Sequence, residues 1–189
     1  MPVNSFLWEN LQNDNAKALE DLYHLYFKDL YNYGKTMSDD VMLIEDAIHD
    51  TFINIWKYRK RITAPSSEKA YMLRSFRNQM IDHLRSGARI IFPEEDLNFS
   101  FEISFEQKVI EEEGDAEMVK RVREAFSLLT NRQREIIYYR FFKGLSFEEI
   151  SEIMNMQTRA TYKLTSRALA TLRKVMVTRT IFMLMILSH

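Results

Sequence analysis

The residue types that do covalent or metal chemistry are almost missing from this chain. Among its 189 residues there is no cysteine, which excludes disulfides, thiolate zinc sites and thiol nucleophiles. The four histidines, at 24, 49, 83 and 189, have none of the spacings that gather a metal ion. No nucleophile stands with a base, so the sequence assigns no catalytic residue, no metal and no cofactor, and does not read as an enzyme. What remains is recognition chemistry, in three blocks. Glu45, Asp46, His49, Asp50 and Asn54 would share one polar, acidic face of a helix. That face is either merely solvated or a docking surface. Arg61, Thr63, Ser66 and Ser67, followed by Tyr71, Arg74, Arg77 and Asn78, make a loop and helix rich in cations and polar groups. Such a stretch suits a single nucleic-acid strand, because cations track phosphates while rings and loop groups hold unstacked bases. An ordinary basic surface helix with a core tyrosine is the competing reading. Finally, Gln157, Thr158, Arg159, Tyr162, Lys163, Ser166 and Arg167 open a basic helix. Cations there reach base edges or phosphates in a major groove, and for each one alone plain solvation stays open.

The charge is distributed in keeping with a polyanionic partner. The net charge of -1 hides three blocks. Residues 57–85 carry a balance of +6, residues 93–117 a balance of -9, and residues 118–179 a balance of +8. Two basic stretches separated by an acidic one suggest two contacts with nucleic acid and a spacer that avoids it.

The elements that must position these residues are helices. Four glycines, three prolines and apolar residues at steps of three and four point to an all-α chain. A first helix is expected after a cap at Asn13 or Asp14. Its stripe is Leu19, Leu22, Tyr23, Tyr26, Phe27, Leu30 and Tyr31, and Gly34 ends it. A second helix, capped by Ser38, buries Ile44, Ala47, Ile48, Thr51, Phe52 and Ile55. Pro65 and the serines beside it mark a loop, and a third helix spans about 68–85, stopping before Ser86-Gly87. Residues 87–116 read as an acidic linker whose scattered Ile and Phe leave local docking open. A fourth helix from near Glu117 places Met118, Val122, Ala125, Phe126 and Leu129 on one face.

The stretch from Leu128 to Lys174 has the strongest punctuation. Thr130 with Gln133, and Ser146 with Glu149, are capping-box pairs. Gly144 sits where a helix must stop. A short helix, a turn at Asn155-Met156-Gln157 and a basic helix over about 158–175 make a helix-turn-helix. Thr161, Leu164, Ala168, Leu172 and Val175 form the inner face of that last helix. The domains expected are therefore 1–86 and 117–178, with the linker between and an apolar tail over 179–189. The tail's apolar run, Ile181 to Leu187, is too short for the ~20 residues a bilayer needs, so no direct membrane insertion is expected. An extra packed turn or a docking patch are both open for it. The first residues lack a signal-peptide pattern, and a cytoplasmic location is expected.

Both ordered blocks resemble one family. LIEDAIHDTFINIWKYR is similar to the stretch AEDLVQEVFLRLWR of bacterial extracytoplasmic-function (ECF) sigma factors. KAYMLRSFRNQMIDHLR resembles that family's RAWLYRIARNLALDLLR, and LTNRQREIIYYRFFKGLSFEEISEIM resembles LPERQREVFLLRYFEGLSYEEIAEIL. The likeness covers about residues 14–86 and 117–175, in the family's order and at its separation. It implies an alternative sigma factor of RNA polymerase, built from conserved regions 2 and 4.

The resemblance also implies roles. Glu45, Asp46, His49, Asp50 and Asn54 would dock on the clamp helices of the polymerase's largest subunit, with the polymerase flap as a further contact. The loop from Arg61 to Ser67, with Tyr71, Arg74, Arg77 and Asn78, would capture an unstacked base of the -10 element and hold the melted strand. The basic helix would read the -35 element as duplex. An anti-sigma factor is the implied regulator. The chain departs from the family where Tyr162 and Leu164 replace two cations, and where Tyr71 stands in place of a usual tryptophan. The rival expectation is a stand-alone helix-turn-helix regulator whose first domain senses a ligand or dimerises.

Overall fold

A computed structural model describes residues 5–88, 98–100 and 123–175. The described residues form helices and turns, with no strand among them. The chain divides into two units, Met1–Leu97 and Asn98–His189.

In the first unit the order is α1 (Ser5–Gln12), α2 (Ala16–Gly34), α3 (Val41–Tyr58), a 3-10 turn (Arg59–Arg61) and α4 (Glu68–Ala88). Helix α1 is an addition to the expected set. Leu7, Trp8 and Leu11 bury its inner face. Asp14 then takes a left-handed φ of 64°, a conformation that Asp tolerates better than most residues. The chain turns there, and Asn15, rather than Asn13 or Asp14, caps α2 by accepting the Lys17 N–H. Asp40 caps α3, accepting the Leu43 N–H, while the Ser38 hydroxyl accepts the Asp40 N–H one step earlier. Both expected caps thus miss by one or two residues, because several Asx and Ser residues adjoin each helix start.

The stripe expected of α3 is the stripe observed, and all six of its residues are buried. Thr51 joins it by donating its hydroxyl to the Ala47 carbonyl at 2.7 Å. In α2 the stripe rotates. Ala18, Leu22, Leu30 and Tyr33 are buried, while Tyr23 is exposed. Tyr23 instead meets Phe27 and Phe52, and Phe27 meets Tyr31, in an aromatic row beside the core. Gly34 ends α2, as expected. It is needed for contact: a Cβ there would lie 2.6 Å from Ile44 Cγ2 and 3.1 Å from the Phe76 ring. Helix α4 runs through Ser86-Gly87 to Ala88, past its expected stop.

In the second unit residues 123–127 are helical, followed by α5 (Asn131–Ile137), a π-helical turn (Tyr138–Phe142), α6 (Phe147–Ile153) and α7 (Thr158–Val175). Both capping boxes form, at Thr130 with Gln133 and at Ser146 with Glu149. Gly144 has φ 66°, and the Leu145 N–H reaches back to the Tyr139 carbonyl to close the turn. Ala125, Phe126, Leu129, Ile136, Ile137, Leu145, Ile150, Ile153, Ala168 and Leu172 make the core. Phe99, from the expected linker, is part of it: its ring packs edge-on to Tyr138 and its carbonyl accepts the Arg134 guanidinium at 3.0 Å. The rest of the linker from 101 on, the start of the fourth helix near Glu117 and the tail lie outside the described residues.

Gly34→Ala is expected to lower unfolding free energy by about 1–2 kcal/mol. Ile44 is β-branched within a helix and fully buried, so it has little room to yield, and this outweighs the ~1 kcal/mol of helix propensity that alanine adds. Urea denaturation of the two proteins measures the difference.

Candidate nucleic-acid interface

The polar face of α3 arises because its buried positions recur at helical spacing and leave the opposite side to solvent. Glu45, Asp46 and His49 are exposed there. Asp50 is half-buried, and its carboxylate lies 2.8 Å from His83 Nε2 of α4. Asn54 is also half-buried. The structure therefore brings the five expected residues onto one helix but gives them different duties. Glu45, Asp46 and His49 are outward; Asp50 also ties α3 to α4.

The loop between the 3-10 turn and α4 covers residues 62–67. Arg61, Thr63 and Ser66 are exposed. Ser67 is the helix cap, its hydroxyl accepting the Ala70 N–H at 3.3 Å. On α4, Tyr71, Arg74 and Asn78 fall within one narrow arc of the helix, since they are spaced by three and four. Arg74 and Asn78 are exposed and Tyr71 is half-buried. Burial pushes the Tyr71 phenol above its ordinary pKa, so it stays a neutral ring with a donor. Arg77 does not belong with them. It is 2% exposed and enclosed in the core. The expectation that it faces DNA is corrected for a geometrical reason: it lies four residues from Leu73 and seven from Ala70, in the stripe that also holds Met80 and Ile81.

Sequence reasoning missed what holds this loop. Three residues brace it from α1 and the turn that follows. Trp8 Nε1 donates to Glu68 Oε2 at 2.9 Å, and the Trp8 ring meets Tyr71 edge-on at 5.3 Å. Gln12 Nε2 donates to the Ile62 carbonyl at the loop's start. The Asp14 carboxylate accepts Arg59 Nε at 2.6 Å and lies 2.9 Å from Lys60 Nζ. Tyr26 of α2 completes the set by donating to Glu68 Oε1 at 2.7 Å. The signal was the apolar spacing of Leu7, Trp8 and Leu11.

In the second unit, Asn155 adopts φ 47° at the turn between α6 and α7, as an Asn at this place allows. Thr161, Thr165, Ala168 and Leu172 hold α7 against its neighbours, and Leu164 lies half-buried on that side. The buried threonines bond to their own helix: Thr161 donates to the Thr158 carbonyl at 2.6 Å and Thr165 to the Thr161 carbonyl at 2.9 Å. On the outer face Gln157, Arg159, Tyr162, Lys163, Ser166 and Arg167 are exposed, and Thr158 is half-buried. All seven expected residues thus lie in the first three turns or at the entry of one helix. Phe147, at the start of α6, was not expected: its ring stacks on Tyr162 with centroids 3.9 Å apart. Among the described residues no cluster of His, Asp and Glu could hold a metal ion, and no helix is long and apolar enough to cross a membrane.

Two family models match, one to each unit and in this order. Sigma-70 region 2 matches residues 22–90, and Sigma-70, region 4 matches residues 120–172. The chain belongs to the ECF sigma factors of the sigma-70 type. It is similar to the ECF RNA polymerase sigma factor SigM of Bacillus subtilis (strain 168), 26% identical over 74% of this chain and 83% of the relative. It is also 26% identical to SigX of the same organism, over 82% of this chain and 81% of the relative. Among solved structures, CnrH in complex with the cytosolic domain of CnrY has the same fold, with a TM-score of 0.62 at 18% identity over 92% of this chain and 96% of that chain. So does RpoE with the anti-sigma factor NepR from Bartonella quintana, with a TM-score of 0.58 at 19% identity over 86% of this chain and 99% of that chain. The function follows: an alternative sigma factor, which binds core RNA polymerase and directs promoter recognition at initiation. The stand-alone regulator is not favoured. In this sigma factor α1 lies outside the matched span of region 2, yet it supports the loop within it.

The Asp14 clip gives a pH signature. Hydrogen bonds from Lys60 and Arg59 hold the Asp14 carboxyl below its ordinary range. A lowered pKa in the folded state stabilises above the ordinary carboxylate value and is lost as pH falls through the folded one. Asp14→Asn keeps the left-handed turn but removes the charge. Its melting temperature is expected to lie below the parent's at neutral pH and to converge with it as pH falls through and below the ordinary carboxylate range, as thermal denaturation across pH will show. The gap should also shrink in high salt.

Proposed function

We propose that this sigma factor grips core polymerase through the outer face of α3 and promoter DNA at two places, one on each unit. Glu45, Asp46 and His49 would make the main contact with the clamp helices of the polymerase's largest subunit, Asp50 and Asn54 standing at its edge. The observation that carries this is the pairing of an exposed acidic face on α3 with a match to Sigma-70 region 2 that spans it. Arg61, Thr63 and Ser66, with Tyr71, Arg74 and Asn78, would hold the melted -10 strand. Base capture there offsets an unstacking cost of a few kcal/mol. Gln157, Thr158, Arg159, Tyr162, Lys163, Ser166 and Arg167 would meet the -35 duplex. No step needs catalysis by this chain, and we read it as a non-enzymatic cytoplasmic protein. The polymerase flap is a further contact for the second unit. An anti-sigma factor is the proposed regulator, supported by the complexes in which CnrH and RpoE share this fold.

Run-off transcription with core enzyme tests the whole reading. Promoter-specific transcripts that require this chain support it, whereas tight binding to a palindromic duplex without polymerase would return the stand-alone regulator. Asp46→Lys is expected to weaken core-polymerase binding by tenfold or more, because it places a cation where the partner would present one. A pull-down titration measures this, and unchanged affinity removes α3 from the docking face. Asp46 suits the test better than Asp50, whose loss would also break the contact with His83.

The second test concerns α7. Arg159→Ala and Lys163→Ala are each expected to cut transcription from -35-dependent promoters by roughly five- to tenfold, in line with ~1 kcal/mol or more per lost contact. A phosphate contact would lower affinity equally for all sequences, while a base contact would relax specificity at one position. Full activity in both variants would place the DNA face elsewhere on the unit.

A further inference from the structure

A tyrosine on the outer face of a DNA-reading helix ordinarily moves freely. Tyr162 is held. Its ring stacks on Phe147 at 3.9 Å between centroids and 32° between planes, yet 51% of the residue remains exposed. Phe147 is itself fixed as the first residue of α6, directly after the capping box formed by Ser146 and Glu149. The Arg140 guanidinium lies 5.0 Å from the Phe147 centroid, and its Nη1 donates to the Leu145 carbonyl at 2.9 Å. Tyr162 is therefore a rigid apolar plate, attached to the first turns of α7 and buttressed from α6. It borders an open groove lined by Thr165, Ser166 and Leu169, so apolar surface is open to a group arriving from solvent. Arg159 and Ser166 stand on either side of it along the same helix, and Lys163 follows it.

The chemistry of that plate selects a base. In a major groove the bases present hydrogen-bonding edges, and only thymine adds an apolar group, its C5-methyl. A cation at position 162 would favour guanine or a phosphate. An exposed ring instead offers burial to a methyl, with little side-chain entropy left to lose because stacking on Phe147 has already restricted it. We propose that Tyr162, held by Phe147, determines promoter specificity by packing against the C5-methyl of a thymine in the -35 element. This rests on the reading of α7 as the -35-binding helix and adds to it the identity of a base. Tyr162 acts by direct contact and Phe147 as the positioning residue behind it.

The test uses holoenzyme made from the full chain and core polymerase, on a promoter fragment identified by run-off transcription. Each thymine of the -35 element is replaced in turn by deoxyuridine, which removes the methyl and nothing else. At one position holoenzyme affinity should fall about fourfold, the equivalent of ~0.8 kcal/mol for one buried methyl group. Tyr162→Ala should abolish the difference between thymine and deoxyuridine there, and Tyr162→Phe should retain it. Phe147→Ala should reduce the difference while leaving the other deoxyuridine positions unaffected. A -35 element without thymine, no sensitive position, or a methyl effect that survives Tyr162→Ala overturns the proposal while leaving the -35 assignment of α7 intact. Promoter binding that is indifferent to Arg159→Ala, Lys163→Ala and Tyr162→Ala together overturns both.

Discussion

The first unit depends on a buried carboxylate. Glu68 is 8% exposed at the start of α4 and accepts hydrogen bonds from Trp8 and Tyr26. A carboxylate at a helix N-terminus gains from the helix dipole, and two donors replace the water it gives up. The tie is directional in a way that apolar packing is not. It fixes α1 and α2 to the same atom pair, at the junction where the loop of residues 62–67 becomes a helix. Burial and the Glu68 contact both push the Tyr26 phenol up from its ordinary pKa, so Tyr26 remains a donor at any physiological pH. Removing either donor would leave a carboxylate lone pair unsatisfied inside the protein, which costs more than the net worth of the bond.

That arrangement explains why the loop can be polar and still be ordered. A strand-capturing loop must expose backbone and side-chain groups to a ligand that is absent most of the time. Such segments are held from behind or they fray. Here the support comes from α1 and the turn after it, through Trp8, Gln12 and Asp14. Arg61, Thr63, Ser66, Arg74 and Asn78, the proposed recognition groups, are left exposed. The second unit solves the same problem differently. Two capping boxes fix the starts of α5 and α6, and two left-handed residues, Gly144 and Asn155, fix the turns that lead into α6 and α7. Its buried threonines satisfy their hydroxyls within α7.

The difference in legibility between the two units has the same origin. Caps, turns and helical periodicity are local, and the second unit is specified mostly by local signals. The capping boxes, the Gly144 stop, the Asn155 turn and the α7 span therefore read directly from the sequence. So did the inner stripe of α3. The brace around Glu68 joins residues forty to sixty positions apart, and no period in the sequence announces such a pairing. Arg77 failed for another reason. Its type says surface, while its spacing from Ala70 and Leu73 says core, and in a packed helix the spacing decides. Tyr162 was legible as an unusual residue on the outer face, but its stacking on Phe147 depends on how α6 crosses α7.

The charge pattern then acquires a use. A sigma factor that bound promoter DNA tightly by itself would occupy promoters without polymerase. The outer start of α7 offers Arg159, Lys163 and Arg167, with Tyr162 between them where a further cation would strengthen binding to any sequence. Each phosphate contact adds affinity that falls with salt and carries no sequence information. A ring in place of one such contact would lower that indiscriminate part and raise the share of selectivity carried by shape and apolar contact. Affinity is recovered when both units act from one chain, because the second contact becomes intramolecular once the first has formed. On the proposed reading, separate grips that are weak alone would make promoter occupancy conditional on the complete assembly.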